Sequence, residues 1–320
     1  MTNANQPRRH HYITQSYQEL FCTKIKKNKV FWVYDLDKKL WRKSQPLNEG
    51  VERDFQKLDH FIGLDPYFLE KSFAEIEGLA IGVIHKIALE NSIPESLEEF
   101  SPVINLMGIF AGRNLSTRKM VNEILKRTSL KTLELIHKDE ATYYAQMGKA
   151  LADGAVEEPI TPYQKSKDFL ESRKFEIKTD PSIIVEQMAK GAAQITDLLG
   201  VRNWMLLEAL GAEFITSNKP VNPVWAVGFA TVVPRYELLN SIITFPITPK
   251  LALLGSWSPL PRYRKIDRLI VEGINWVTAS SGATVLYAQS KSRLPIFEGV
   301  FHLQDFHRLQ PTRLIEKSNV

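Results

Sequence analysis

The spacing of hydrophobic positions changes along the chain, from two residues near the N-terminus to three or four in the middle. Residues 30–36 (VFWVYDL) are rich in β-branched and aromatic side chains, and the same pattern resumes over residues 40–43 after a short polar segment. Two such runs around a turn are typical of a β-hairpin. The sequence therefore predicts a hairpin over residues 30–43.

The middle of the chain carries apolar side chains every three or four residues, which is typical of amphipathic helices. Glycine costs about 1 kcal/mol relative to alanine inside a helix. We therefore expect another backbone to pack closely on Gly78 and Gly82, four residues apart in the first helix. The pattern does not decide whether residues 114–116 break the second helix. The predicted helices cover residues 69–87, a stretch starting at Ser101-Pro102, residues 131–147 and residues 181–200.

The last third of the chain is strand-rich. It predicts a hairpin joining residues 204–208 to 214–217, a strand pair over 241–245 and 251–254, a helix over 267–280 and a strand over 284–288. Because helices occupy the middle and strands both ends, the expected fold class is α+β. We predict a central helical bundle with antiparallel β-hairpins contributed from the N-terminal and C-terminal thirds.

The chain shows no repeat or low-complexity linker that would divide it. We expect one compact domain over residues 1–320, with a flexible segment at residues 1–9. Residues 152–180 combine glycine, prolines and mixed charges. This composition favours a loop or lid that connects the helical half to the strand-rich half.

Composition narrows the class of protein. The single cysteine, Cys22, excludes an intrachain disulfide and a cysteine-based zinc cluster, and it suits a reducing compartment. No apolar stretch reaches the roughly 18 residues of a membrane span, and the N-terminus lacks the apolar region of a secretory signal. We expect a cytoplasmic protein without a membrane partner. The sequence leaves the oligomeric state, any cofactor and any metal undetermined.

The charge leaves a nucleic-acid or nucleotide partner open. The net charge is +5, and lysines cluster over residues 24–29. A basic cluster near aromatic side chains such as Trp32 and Trp41 favours a polyanion partner, whereas solvated loops are the alternative interpretation. The common signatures of dinucleotide, nucleoside triphosphate, zinc-protease and α/β-hydrolase sites are absent. His302 and His307 could bind a metal, although an exposed tail is the simpler interpretation.

Arg113 is the first candidate functional residue. It shares a helix stripe with Leu106 and Phe110, so its guanidinium should point inward. A buried arginine needs a partner, and Glu70 and Glu77 lie seven apart on one face of the preceding helix. Two interpretations remain: an ion pair that locks two helices, or an anion-binding site. His10 and His11 are either exposed residues of a frayed terminus or part of that site.

A family resemblance bears on these candidates. Residues 10–21 (HHYITQSYQELF) resemble the opening HHYVPQ-x-[YF]-L-x-x-F of the bacterial family catalogued as domain of unknown function 4238. Its other landmarks follow in order over roughly residues 10–288. They are the hairpin VFWVYDLDKKLWRKS, the helix with Glu70 and Glu77, Arg113, residues 204–207 with FITSNKPV at 214–221, FPITP at 245–249, and Asn275. The family has no assigned activity, so the resemblance implies positions and no chemistry.

Two departures from the family pattern matter for function. Thr14 stands where proline is usual, and Asn218 stands where FITSDNPV has aspartate. A neutral asparagine cannot replace a general base. Either the activity is lost, or the residue forms a turn before Pro220, where asparagine serves equally well. The turn interpretation is favoured.

The leading functional hypothesis is an enzyme that cleaves phosphodiester bonds in nucleic acid or nucleotides. His11 would act as general acid or base, and Arg113 would hold a phosphate oxygen with Glu77 or Glu70 orienting it. His10, Glu70, Ser217 and Asn218 would complete the substrate-binding set.

Two rival hypotheses need no catalysis. In one, the protein is a sensing or scaffold module, and the same residues form a structural polar network. In the other, it binds nucleic acid through the lysines of residues 24–29 with Trp32 and Trp41, and its affinity falls steeply with salt.

Overall fold

The structure, a computed structural model, describes residues 9–53, 55, 68–225 and 235–291; at Arg9, Arg53 and residues 68–70 it describes the main chain only. Within these residues there are eight helices. They are α1 Gln15–Glu19, α2 Phe68–Glu90, α3 Leu97–Gly112, α4 Leu115–Ile136, α5 Glu140–Ala152, α6 Tyr163–Ser172, α7 Pro181–Gly200 and α8 Arg268–Ser280.

The described strands form three sheets. The strands are β1 Arg9–His11, β2 Thr23–Ile25, β3 Asn28–Asp35, β4 Leu40–Ser44, β5 Val51–Arg53, β6 Asn203–Ala209, β7 Thr216–Ser217, β8 Asn222–Trp225, β9 Ser241–Pro246, β10 Leu251–Ser256, β11 Tyr263–Ile266 and β12 Val285–Ala288. One sheet has the order β11-β6-β10-β9-β8, and only its β11–β6 pair is parallel. A second sheet has the order β2-β3-β12-β7, with β4 also paired to β3. The third is the pair β1–β5.

The strand predictions are confirmed for two hairpins and wrong for one. β3 pairs with β4, and β9 with β10. The predicted hairpin over residues 204–217 does not form, because β6 lies between β10 and β11 while β7 pairs with β12. The reason is visible in β6 itself, where four consecutive residues, Trp204 to Leu207, are buried. A strand covered on both faces belongs inside a sheet and not in an edge hairpin.

Both faces of the five-stranded sheet are covered by helices. Alternate residues of β6 divide between the two cores: Trp204 and Leu206 pack with α2, α3 and α7, whereas Met205 and Leu207 pack with α8. The fold class is thus α+β, as predicted. No helix among the described residues is both long enough and apolar enough to cross a membrane.

Side-chain capping sets the helix boundaries, and it corrects two predictions. α3 begins four residues before Ser101, because the Ser96 hydroxyl accepts a hydrogen bond from Glu99 N at 3.1 Å. The predicted helix over residues 131–147 is two helices, since Asp139 caps α5 by accepting from Thr142 N at 2.7 Å. The α7 start at Pro181, capped by Asp180, and the α8 region are confirmed. Residues 152–180, predicted as a loop, contain α6.

The closest helix packing involves α3 and α7. A Cβ built on Gly112 would lie 2.6 Å from Ala192 Cβ, and one on Gly108 would overlap the Thr196 hydroxyl. The prediction of close packing at Gly78 and Gly82 is wrong, because a Cβ there would meet no described atom within 4 Å. Glycine is therefore a packing requirement in α3 and not in α2.

The break that the pattern left open lies between α3 and α4. Asn114 is the N-cap of α4, and its side-chain oxygen accepts from Thr117 N at 2.9 Å and from the Ser116 hydroxyl at 2.6 Å. Arg113 consequently ends α3 instead of lying inside a continuous helix. This turn directs the arginine toward the N-terminal segment.

Candidate functional site

A polar cleft of about 460 Å³ opens where α1 and α2 meet the end of α3. Three of the predicted site residues line it, although they lie far apart in sequence: His11, Glu77 and Arg113. The remaining lining residues are Thr14, Gln15, Ser16, Glu19, Phe73 and Ala74. The fold therefore brings together the three residues that sequence reasoning put at the centre of the site.

Strand pairing carries His11 to the cleft. β1 runs antiparallel to β5, with His10 opposite Glu52 and His11 opposite Val51. The next residue continues this attachment, since Tyr12 N donates to Gly50 O at 2.8 Å. The histidine pair is thus not on a frayed terminus. Of the segment predicted to be flexible, residues 1–8 lie outside the described part of the chain, and Arg9 begins β1.

Arg113 fixes the main chain beside the cleft. Its side chain is 5% exposed, and its Nη2 donates a hydrogen bond to the His11 carbonyl. The guanidinium carbon lies 4.8 Å from the centroid of the Phe73 ring, in cation–π geometry. On its other side the arginine borders an apolar recess of about 20 Å³ that α7 helps to line. An arginine against an apolar wall is poorly screened by water, so its positive charge acts strongly on the cleft.

Among the described residues that line the cleft, two carry carboxylates, one from each flanking helix. Glu77 of α2 accepts a hydrogen bond from the Ser16 hydroxyl of α1 through its Oε1. Glu19 of α1 pairs with Lys29, whose Nζ lies 2.6 Å from Glu19 Oε2. The Lys29 pair offsets the charge of Glu19, so Glu77 is the carboxylate without a lysine or arginine partner among the described ion pairs of the cleft.

Thr14 contributes a buried polar atom to the cleft wall. It is 3% exposed, and its hydroxyl finds no hydrogen-bond partner among the described residues. It precedes α1 with φ −67° and ψ 146°, and it makes no side-chain capping bond. A buried hydroxyl without a partner costs free energy, and the proline usual in the family would not carry that cost.

Three of the other predicted substrate-binding residues, His10, Ser217 and Asn218, are not among the described residues that line the cleft. His10 is fully buried behind it. Glu70 lies in α2, but its side chain is outside the described residues. The Ser217 hydroxyl accepts from Lys219 N at 3.0 Å. Asn218 joins β7 to β12, accepting from Thr284 N at 3.0 Å through Oδ1 and donating to the Thr284 hydroxyl at 2.8 Å through Nδ2. These contacts tie the end of β7 to β12 and are not the local turn bond that the turn interpretation expects, because Pro220, two residues on, has no N–H to donate.

Asn218 nevertheless reaches the back of the cleft wall through Tyr12. Burial raises the pKa of the Tyr12 phenol above its ordinary value, and a hydrogen bond with Asn218 opposes this rise. Asn218 therefore supports the residue that follows His11 and does not face a ligand in the cleft.

Sequence reasoning missed the lining residues of α1. Gln15, Ser16 and Glu19 follow the three-to-four residue spacing of a helix face, as do Phe73 and Glu77 on α2. That spacing could have found them, but a helix of five residues is too short for its period to stand out. Among the described residues, no three His, Cys, Asp or Glu side chains come together as a metal site. His302 and His307 lie outside the described residues.

Comparison with known families matches residues 9–292 to the family described as Protein of unknown function (DUF4238). The chain belongs to the DUF4238 family. No match was found among curated proteins or among solved structures.

The landmarks of the DUF4238 family meet at Tyr17 in this member. Its hydroxyl is 2.7 Å from the Thr216 hydroxyl, within FITSNKPV, and donates to Pro246 O, within FPITP, at 2.6 Å. The ring stacks on Phe245 with centroids 5.4 Å apart. Tyr17 is fully buried. Three sequence landmarks thus form one anchor for α1, and the opposite side of α1 forms the cleft.

Proposed function

We propose that the cleft is the active site of an enzyme that cleaves phosphodiester bonds in nucleic acid or nucleotides. The observation that carries this proposal is that His11, Glu77 and Arg113, drawn from three separate segments, line one cleft of about 460 Å³. This volume suits a nucleotide-sized group, since ligand pockets generally span about 300–1,000 Å³.

The three side chains match the demands of phosphoryl transfer. The attacking water must lose a proton as its oxygen bonds to phosphorus, and the leaving oxygen must gain a proton as its bond to phosphorus breaks. Glu77 and His11 supply two groups able to exchange protons: we assign Glu77 as the base and His11 as the acid. Histidine suits this role because its ordinary pKa, about 6.5, lies near neutrality.

Arg113 supplies the positive charge. Negative charge spreads over the phosphate oxygens in the transition state, and a poorly solvated guanidinium stabilises it. Its hydrogen bond to the His11 carbonyl gives it a second role, because that bond sets where the imidazole stands. In this scheme Arg113 therefore stabilises negative charge on the phosphate and also positions His11.

The same hydrogen bond favours a second candidate function. A 5% exposed arginine bonded to main chain is also what a purely structural network requires. In that case the protein is a non-catalytic sensing, scaffold or nucleic-acid-binding protein, and His11, Glu77 and Arg113 hold the N-terminal segment against α2 and α3.

A cleavage assay with matched variants separates the two. End-labelled RNA, single-stranded DNA and duplex DNA are incubated with the wild type, His11→Ala and Glu77→Gln, with and without divalent cations. His85→Ala and Glu75→Gln are the controls, because both residues are exposed on α2 and neither lines the cleft. Circular dichroism establishes that every variant is folded.

We expect cleavage by the wild type and both controls, and a loss of about 100-fold or more in His11→Ala and Glu77→Gln. Cleavage that persists in the cleft variants would show that the cleft is not the active site. A wild type that cleaves none of the three substrates overturns the proposal in favour of the structural network.

A further inference from the structure

One face of the β3–β4 hairpin carries half-buried aromatic rings, which pack in part against the buried side chains of Ile215, Leu286 and Ala288. Alternation along β3 buries Phe31 and Val33 on one face and leaves Trp32 and Tyr34 half-buried on the other. Trp41 lies opposite Tyr34 in the strand register, and the centroids of these two rings are 4.5 Å apart. Three partly accessible aromatic side chains therefore lie next to one another on this face.

Two lysines lie against one of these rings. Lys43, directly opposite Trp32 in the register, places its Nζ 5.1 Å from the indole centroid, and Lys291 places its Nζ 5.7 Å away. Both lysines are exposed, and within the described part of the chain neither forms an ion pair with an acidic side chain. The two ammonium groups at one ring repel each other, and an anion bound between them would attract both.

Further lysines lie at the β2–β3 end of β3. Lys26 and Lys27 are exposed in the β2–β3 turn, whereas Lys24 lies opposite Lys29 in the strand register and so on the other face of β3 from Trp32. Lys29, on the opposite face of β3 from Trp32, is the residue that pairs with Glu19 of the cleft. The aromatic–lysine patch, defined as Trp32, Tyr34, Trp41, Lys43 and Lys291, is therefore a surface separate from the cleft.

We propose that the aromatic–lysine patch binds single-stranded nucleic acid, with bases stacked on the rings and phosphates held by the lysines. Aromatic rings combined with a basic rim are what sequence-tolerant single-strand binding requires. A duplex hides the faces of its bases from the rings, and an acidic peptide would use the lysines alone. The proposal does not depend on catalysis in the cleft, because it rests on other residues.

Binding can be measured without cleavage. Fluorescence anisotropy follows the full chain with labelled dT and rU oligonucleotides and with a duplex of the same length, over a series of salt concentrations. The test variant is Lys43→Gln/Lys291→Gln, and Trp32→Leu tests stacking. The control is Lys119→Gln/Lys250→Gln, which removes the same two charges from exposed positions in α4 and in the turn before β10.

We expect the single strands to bind more tightly than the duplex, and the patch lysine variant to bind them about tenfold more weakly than the control variant. The slope of log affinity against log salt should fall by about 1.4 in the patch variant, since each single-strand phosphate contact contributes about 0.7. An equal loss in the control variant, tighter binding to duplex, or no binding by the wild type would each overturn the proposal.

Discussion

The contact between α3 and α7 at Gly112 gives a prediction whose magnitude follows from the coordinates. A Cβ on Gly112 would lie 2.6 Å from Ala192 Cβ, 2.7 Å from its Cα and 2.9 Å from its N. Carbon atoms in contact are normally about 3.5–4.0 Å apart. Gly112→Ala therefore requires the two helices to separate by about 1 Å, since the obstructing atoms are mostly backbone and cannot rotate away.

The free-energy change follows from two opposing terms. Inserting a carbon into a packed interface costs about 1–3 kcal/mol, and backbone obstruction puts this site at the upper end. Alanine recovers about 1 kcal/mol of helix propensity over glycine. We expect Gly112→Ala to lower the free energy of unfolding by about 2 kcal/mol. Because Arg113 follows Gly112, the same displacement should weaken its hydrogen bond to His11.

Urea unfolding followed by circular dichroism tests this, and the chain provides its own control. Gly78→Ala and Gly82→Ala make the same substitution in α2, where a Cβ would meet no described atom within 4 Å. Each should raise stability by about 0.5–1 kcal/mol. The substitution is predicted to have opposite signs in the two helices. A Gly112→Ala variant as stable as the α2 variants would show that α3 and α7 do not approach as described.

Three further predictions concern Thr14, Cys22 and Asn218. Thr14 has a φ of −67°, the value that proline imposes, and its N–H donates to no described main-chain acceptor. Thr14→Pro should therefore raise the free energy of unfolding in urea by about 0.4–1 kcal/mol. A decrease would contradict this geometry. Burial and then the charge of Glu19 raise the pKa of the Cys22 thiol to about 12. Alkylation at pH 9 should thus be at least about 100-fold slower in the native chain than in urea, and equal rates would refute the burial. Because the native thiol keeps its proton longer, this contribution to stability is present below a pH of about 8.5 and is lost as the pH rises toward 12. Asn218→Asp should change the free energy of unfolding by less than about 1 kcal/mol, because a carboxylate can accept from the same N–H groups and the Thr284 hydroxyl can donate to it. Asn218→Ala should lower it by about 2 kcal/mol, and thermal unfolding measures both variants.

The sequence predicts the strands themselves, including the fully buried β9 and β10, but it predicts their pairing only where the partner is the neighbouring strand in the chain. The β3–β4 hairpin alternates between buried and half-buried residues, and its prediction is confirmed. β6 has no alternation, because the helical layer covers Trp204 and Leu206 while α8 covers Met205 and Leu207. Its partners, β10 and β11, are set by tertiary packing, which no local pattern contains.

Glycine spacing shows the same limit. Gly78 and Gly82 in α2 and Gly108 and Gly112 in α3 have identical spacing, yet only the second pair contacts another helix. The local sequence shows that a small residue is present but not which helix packs against it, because the packing partner lies about 80 positions away in α7. The helix in which the spacing has a structural role therefore cannot be told from the spacing itself.

The N-terminal landmark over residues 10–21 contains both residues that pack in the core and residues that line the cleft, and the position of α1 shows which are which. Most of the positions that the family pattern specifies between residues 10 and 21 are buried anchors here, namely His10, Tyr12, Ile13, Tyr17 and Phe21. Packing alone explains those five. His11 and Gln15 are also specified by the pattern, and they line the cleft.

Ser16 and Glu19 line the same cleft at positions that the pattern leaves variable. Chemistry shared by the family would therefore be concentrated at His11 and Gln15, together with Glu77 and Arg113 across the cleft. Ser16 and Glu19 would instead adjust what this member accepts, since Ser16 bonds Glu77 and Glu19 determines where Lys29 lies. On this argument Glu19→Gln should alter substrate preference while leaving the reaction intact, and His11→Ala should abolish it.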